Sequence, residues 1–259
     1  MIAAGRVTAM SIFVLIIVVI MICYYLATKG RKFVIRKKIA GFEAIPQAVG
    51  RATEMGGVMH GVTGGSPTSG ARGPHVVAGL AILGYIAELG AKNKVPLYIS
   101  VRDPDQIVLS EDTLRVAYAK AGCPEDFRRE YALYHGERDA TYAAGILGFL
   151  AREKVAVNFM IGGFGSEAII ISEGASRLGC YQIGGTPTIF TTPFLIPTCE
   201  FVIMGDELFA AACIVSGDPK ETSIMIAEDV VKFALICLAI VGSVLATFGS
   251  TWMINILKM

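Results

Sequence analysis

Charge is scarce in this chain, and the scarcity is uneven. Charged residues are only 17% of 259, against about a quarter in ordinary soluble domains. Residues 9–27 carry no charge, and residues 230–257 carry only Lys232. Paired cysteine motifs are also missing. Six cysteines occur without a C-x-x-C pair or regular spacing, which argues against a disulfide framework. Histidine is rare: His60, His75 and His135 stand at no ligand spacing from one another or from a cysteine, so no metal site is expected. The Walker pattern, G-x-G-x-x-G and G-x-S-x-G are absent, so no catalytic residue and no cofactor is expected either.

What is present begins with the two apolar runs. At 1.5 Å per residue, residues 9–27 would cover about 28 Å as a helix, close to a bilayer core of about 30 Å. Tyr24 and Tyr25 fall at its end, and six basic residues follow between Lys29 and Lys38 with no acid among them. Cytoplasmic flanks carry such Lys/Arg excess. A cleavable signal peptide would have its charge before a shorter apolar run. The expectation is a short external N-terminus over 1–8, a transmembrane helix over 9–27, a basic juxtamembrane segment over 28–38, a cytoplasmic domain over 39–229 and a second transmembrane helix over 230–257. Both termini would lie outside a cell membrane. In the second run Ala239, Gly242, Ser243, Ala246, Gly249 and Ser250 recur at three- and four-residue steps, a face that lets another helix backbone approach.

Residues 39–228 carry a net charge of −7, from 14 basic and 21 acidic residues, which excludes nucleic acid as a partner. Apolar strand-like runs (58–63, 97–101, 132–134, 155–161, 181–183 and 201–204) alternate with helix-like segments (44–55, 75–92, 110–121, 140–152, 167–177 and 206–215). Strands apolar on both faces, alternating with helices, predict a mostly parallel, Rossmann-like α/β sheet covered by helices. The run GLAILGYIAELG within 75–92 could pass for a third span, but Glu88 and its short clean length favour a helix packed on the sheet.

In open parallel sheets ligands bind beyond the carboxyl ends of strands. The expected strand ends collect Gly64 and Gly65, Arg102 and Asp103, Gly162 and Gly163, and Gly184, Gly185 and Thr186. After the first strand comes a loop with Ser66, Thr68, Ser69 and Arg72, leading into a long helix, a context in which backbone N–H groups bind phosphate. A plain surface loop explains the same residues. Ser166 suits an N-cap and Glu167 a first helical turn. Arg51 and Glu54, three apart, suit a surface ion pair.

The stretches Lys38 to Ile45 and Gly50-Arg51-Ala52-Thr53-Glu54-Met55-Gly56 resemble an uncharacterised family of bacterial and archaeal membrane-anchored proteins. The likeness continues through Ala78 to Tyr85, Arg102-Asp103-Pro104, Tyr142 to Gly145, Gly162 to Glu173, Gln182 to Thr186 and Gly205 to Leu208. It supports the boundaries above and supplies no catalytic residue.

These readings lead to a membrane-anchored, self-associating α/β scaffold or binding module, holding a small anionic, phosphate- or nucleotide-like ligand at the strand-end rim. The expected partners are the lipid bilayer, further copies of the chain and other subunits of a membrane complex. Two alternatives stand beside it: an enzyme on a phosphorylated or nucleotide-like substrate, with Glu167 or Asp103 as base, and an accessory subunit of a larger membrane complex.

Overall fold

The structure, a computed structural model, describes residues 7–29 and 38–247. It divides into two units, residues 37–216 and the terminal segments 1–36 with 217–259. The second of these contains α1 (Val7–Thr28) and α10 (Pro219–Thr247), which pack on each other. Most of the basic run and the end of the second apolar run, with Gly249, Ser250 and Trp252, lie outside the described residues.

The other unit opens with the short α2 (Ala40–Glu43) and then α3 (Ile45–Met55), with Pro46 in its first turn and Gly56 closing it at φ 59°, both helix-boundary residues by conformation. After α3 come β1 (Val58–Val62), α4 (Gly73–Lys92), β2 (Leu97–Val101), α5 (Pro104–Ala121), β3 (Ala132–Tyr134), α6 (Asp139–Arg152), β4 (Val155–Ile161), α7 (Glu167–Arg177), β5 (Tyr181–Thr186), α8 (Thr192–Leu195), β6 (Phe201–Met204) and α9 (Glu207–Ser216). All six strands pair in parallel, in the order β3-β2-β1-β4-β5-β6.

Alternate strand residues point to opposite faces. Val62 and Met160 therefore join Tyr142, Ile146, Phe149, Ile171 and Leu195 in a core beneath α6, α7 and α8, while α3, α4, α5 and α9 cover the other face. The α/β expectation holds element by element, with three differences. α5 starts at Pro104 rather than 110, because extended Asp103 turns directly into Pro104 at the first helical position. β5 runs on through Gly184, Gly185 and Thr186, which pair with Val202, Ile203 and Met204. The third concerns the spans. By length and composition one helical segment among the described residues suffices to cross a membrane, and it is Gly70–Lys92 rather than a helix at either end. That segment contains α4, packed on the sheet and on α5 and α9, with Ile82, Leu83 and Ile86 fully buried, so its apolarity is explained by the core.

Candidate functional site

The strand order reverses between β1 and β4. Connections leaving the two strands go to opposite faces, which is where open parallel sheets form a ligand crevice. Here both connections are glycine turns, and they clasp each other. Gly163 N–H donates to the Thr63 carbonyl (3.2 Å), and Ser66 N–H donates to the Gly163 carbonyl (3.0 Å). The approach leaves no room for side chains: a Cβ on Gly64 would lie 2.2 Å from the Gly163 oxygen, and one on Gly162 would lie 2.0 Å from the Thr63 oxygen.

Glu167, buried at the start of α7, reaches across this junction. Its Oε1 accepts from Gly65 N–H (2.8 Å) and Gly165 N–H (2.9 Å). The amides that the sequence offered to a phosphate therefore already hold a carboxylate. Beside it, Arg102 Nη1 donates to Asp139 Oδ1 (2.9 Å) and Nε lies 3.4 Å from Asp103 Oδ1. A Cβ on Gly65 would meet both Glu167 Oε1 (2.6 Å) and Arg102 Nη1 (2.8 Å), so the two charged groups converge on that glycine.

Buried Gln106 ties the first turn down. Its Nε2 donates to the Ser66 carbonyl (2.9 Å) and Asp103 Oδ2 (3.2 Å), and its Oε1 accepts from Thr63 Oγ1 (3.0 Å). Thr68 donates to Asp105, and Ser166 Oγ donates to Asp139 Oδ2 (3.0 Å). The rim thus combines Arg102 with the carboxylates of Asp103, Asp105, Asp139 and Glu167. It is rich in acceptors. Asp105 and Asp139 face solvent, the latter with its side chain 46% exposed, while Arg102 and Asp103 are 21% exposed each. Underneath, Tyr142 donates its hydroxyl to the Ser100 carbonyl (3.0 Å), and burial pushes its pKa up.

A second polar array lies deeper, across the α6–α7 face of the sheet. Gln182 Nε2 is near the carbonyls of Ser172 (2.9 Å) and Thr198 (2.8 Å), so it must donate there. Gln182 Oε1 then accepts from Asn158 Nδ2 (3.1 Å), and Asn158 Oδ1 accepts from His60 Nδ1 (2.8 Å). That leaves His60 Nε2 as the acceptor for Ser100 Oγ (2.7 Å), and Ser100 in turn accepts from His135 Nε2 (3.0 Å). The donor inventory of each group fixes the direction of the whole chain. Burial lowers the His60 pKa to about 4, against the opposing hydrogen bond to Asn158, and lowers that of His135 as well. Ser100, His60 and Asn158 have the hydrogen-bonding order of a nucleophile, a base and an orienting group. All three are fully buried, so no substrate reaches them and the array acts as a strut between strands.

The family described as a domain of unknown function, DUF6754, matches residues 1–257. The chain belongs to this family. No curated protein and no solved structure matches the chain. Within this DUF6754 chain the Gly50–Gly56 motif occupies α3, and there Arg51 lies 4.7 Å over the Tyr181 ring instead of pairing with Glu54. Of the residues that sequence placed at the rim, Gly64, Gly65, Ser66, Arg102, Asp103, Gly162, Gly163 and Glu167 come together. Thr68 joins through Asp105, while Ser69 and Arg72 are exposed around the turn Gly70–Arg72.

Gly184, Gly185 and Thr186 are buried strand residues. Cys199 and Leu195 close over Gly184 (3.2 and 3.3 Å from a Cβ there), and Leu208 over Gly185 (3.2 Å). Their small size serves packing. Ser166 occupies the N-cap position of α7 as expected, but its side chain makes no capping hydrogen bond and its hydroxyl goes to Asp139. Sequence reasoning missed Asp139, Gln106 and Tyr142 at the rim and the whole His60 array. Its visible signal was one polar residue inside otherwise apolar strands: His60, Ser100, Asn158 and Gln182.

Proposed function

We propose that the chain is a membrane-anchored α/β binding module, held by its two terminal helices and self-associating through them, with its ligand site at the β1–β4 rim. One observation carries the anchoring. α1 is free of charge along its 22 residues, and large apolar side chains such as Phe13, Leu15, Met21 and Ile22 are exposed along it at 53–62%. α10 repeats this at Phe233, Ile236 and Ile240. A helix that is apolar all round belongs in lipid or in a core, and burying such a surface in water-excluding surroundings contributes about 25 cal/mol per Å². The basic run after α1 supports a cytoplasmic domain, and Ala239, Gly242 and Ser243 on α10 support helix–helix association within the bilayer.

The rim supports a ligand that donates hydrogen bonds. Glu167 fills the glycine turn, and Arg102 is engaged by Asp139 and Asp103, so phosphate alone would meet more negative than positive charge. A nucleotide-like ligand held by its ribose hydroxyls on Asp103 fits the strand order, since an acid after the second strand plays that part in dinucleotide folds, and Asp139 stands beside it across Arg102. The tests are direct. The full chain should stay in the membrane pellet after alkaline carbonate washing, and detergent-solubilised protein should sediment as more than one copy. Release by carbonate sinks the anchoring, and a monomer at every concentration sinks the assembly. A nucleoside and nucleotide panel should raise the melting temperature, with Asp139→Ala abolishing the rise.

A further inference from the structure

We infer that the connection between β5 and β6 dips into the lipid surface, giving the domain a membrane contact in addition to its two helices. The proposal rests on the anchoring reading above. Ile189 is 84% exposed and Phe190 63%, with Phe194 and Ile196 exposed beside them. No charge has to be dehydrated when this tip leaves water, since residues 178–199 contain no charged side chain. Three of the flanking threonine hydroxyls are engaged internally. Thr191 Oγ1 and Thr192 Oγ1 donate to the Thr188 carbonyl (2.9 and 3.2 Å), and Thr188 N–H donates to Thr186 Oγ1 (3.2 Å). The turn therefore presents its apolar side chains with the Thr186, Thr191 and Thr192 hydroxyls already engaged, which lowers the cost of entry into an apolar medium.

Lipid is the occupant because of where the chain enters the domain. Ile39 is buried, and α2 follows at once, packed on β5 and β6 with Gly41 against Ile203. These are the two strands that the apolar connection joins. Only ten peptide steps separate Lys29, just past α1, from Ile39, a reach of at most about 35 Å. An anchored α1 is thus joined by that tether to the β5–β6 side of the domain. An aromatic and an aliphatic side chain adjacent at a loop tip suit the headgroup boundary, where apolar bodies are buried and backbone stays wet.

The test uses the full chain in vesicles of phosphatidylcholine and phosphatidylglycerol, with or without brominated acyl chains. The reporter is Phe190→Trp in a Trp252→Phe background, so that it is the only indole. The reference is Leu178→Trp in the same background, an exposed position at the end of α7. Phe190→Trp should lose most of its emission in brominated vesicles, and Leu178→Trp should keep it. If the chain floats with the vesicles while Phe190→Trp stays unquenched, the loop contact is overturned and the anchoring stands. Emission that is blue-shifted but unquenched overturns it as well, and assigns the patch to a second copy of the chain. A chain that fails to float overturns both readings.

Discussion

At the scale of single residues, the molecule has placed its strongest polar groups where they hold structure. His60 is the clearest case. Its pKa falls from 6.5 to about 4 on burial, so between those values the unfolded chain binds a proton that the folded chain refuses. Stability is therefore intact above about pH 6.5 and is lost as pH falls towards 4, by about 3 kcal/mol at 1.36 kcal/mol per pKa unit. His75 and His135, also lowered by burial, add in the same direction. Melting temperatures of the detergent-solubilised chain should drop from pH 7.5 to pH 4.5, and His60→Gln should be less stable at pH 7.5 but flatter across that range. A wild-type profile with no slope would rule the buried neutral imidazole out. Glu167 offers a second test. Glu167→Ala strips the acceptor from two turn amides and should cost about 2–4 kcal/mol, while Glu167→Gln keeps an oxygen there and should cost about 1 kcal/mol, both read by denaturant midpoints. The rim residues near a strand end were visible because turn chemistry is local. The partners of His60 lie 98 and 40 positions away along the chain, and no local pattern announces such a meeting.

At the scale of elements, apolar runs and helix punctuation were enough to find every strand and the six longer helices that cover the sheet. Errors came where one residue type serves two ends. Gly184 and Gly185 resemble a turn by composition, yet they extend β5, because Leu195 and Leu208 need the space a side chain would take. Ser166 has the chemistry of a cap, but Asp139 on a neighbouring helix competes for its hydroxyl and wins. The glycines themselves divide into two kinds, and mutation should separate them. Gly162, at φ 152° and with the Thr63 oxygen 2.0 Å from any added Cβ, should not tolerate alanine: Gly162→Ala should destabilise by at least about 3 kcal/mol or prevent folding. Gly50 sits in α3 with nothing within 4 Å of an added Cβ. Gly50→Ala should stabilise by about 0.5–1 kcal/mol through helix propensity, measured in the same thermal assay. Equal effects at the two positions would contradict the clasped turns.

At the scale of the whole molecule, an acidic α/β domain is bracketed by helices that leave their apolar side chains outside. Deleting residues 1–28 or residues 230–259 alone should leave the chain in the carbonate-washed membrane pellet, because either helix carries enough apolar surface, and immunoblotting of the fractions decides it. The strand order has a further consequence, in time rather than in space. β1 is the centre of the sheet, and β4, its neighbour, begins 97 residues later in the sequence. At a synthesis rate of about 5–20 residues per second, β1 waits roughly 5–20 s with one edge unpaired, after α1 has already left the ribosome. The nascent chain must spend that interval with an apolar strand open to anything that can pair with it, so slow synthesis of residues 63–154 is where misassembly of this protein would begin.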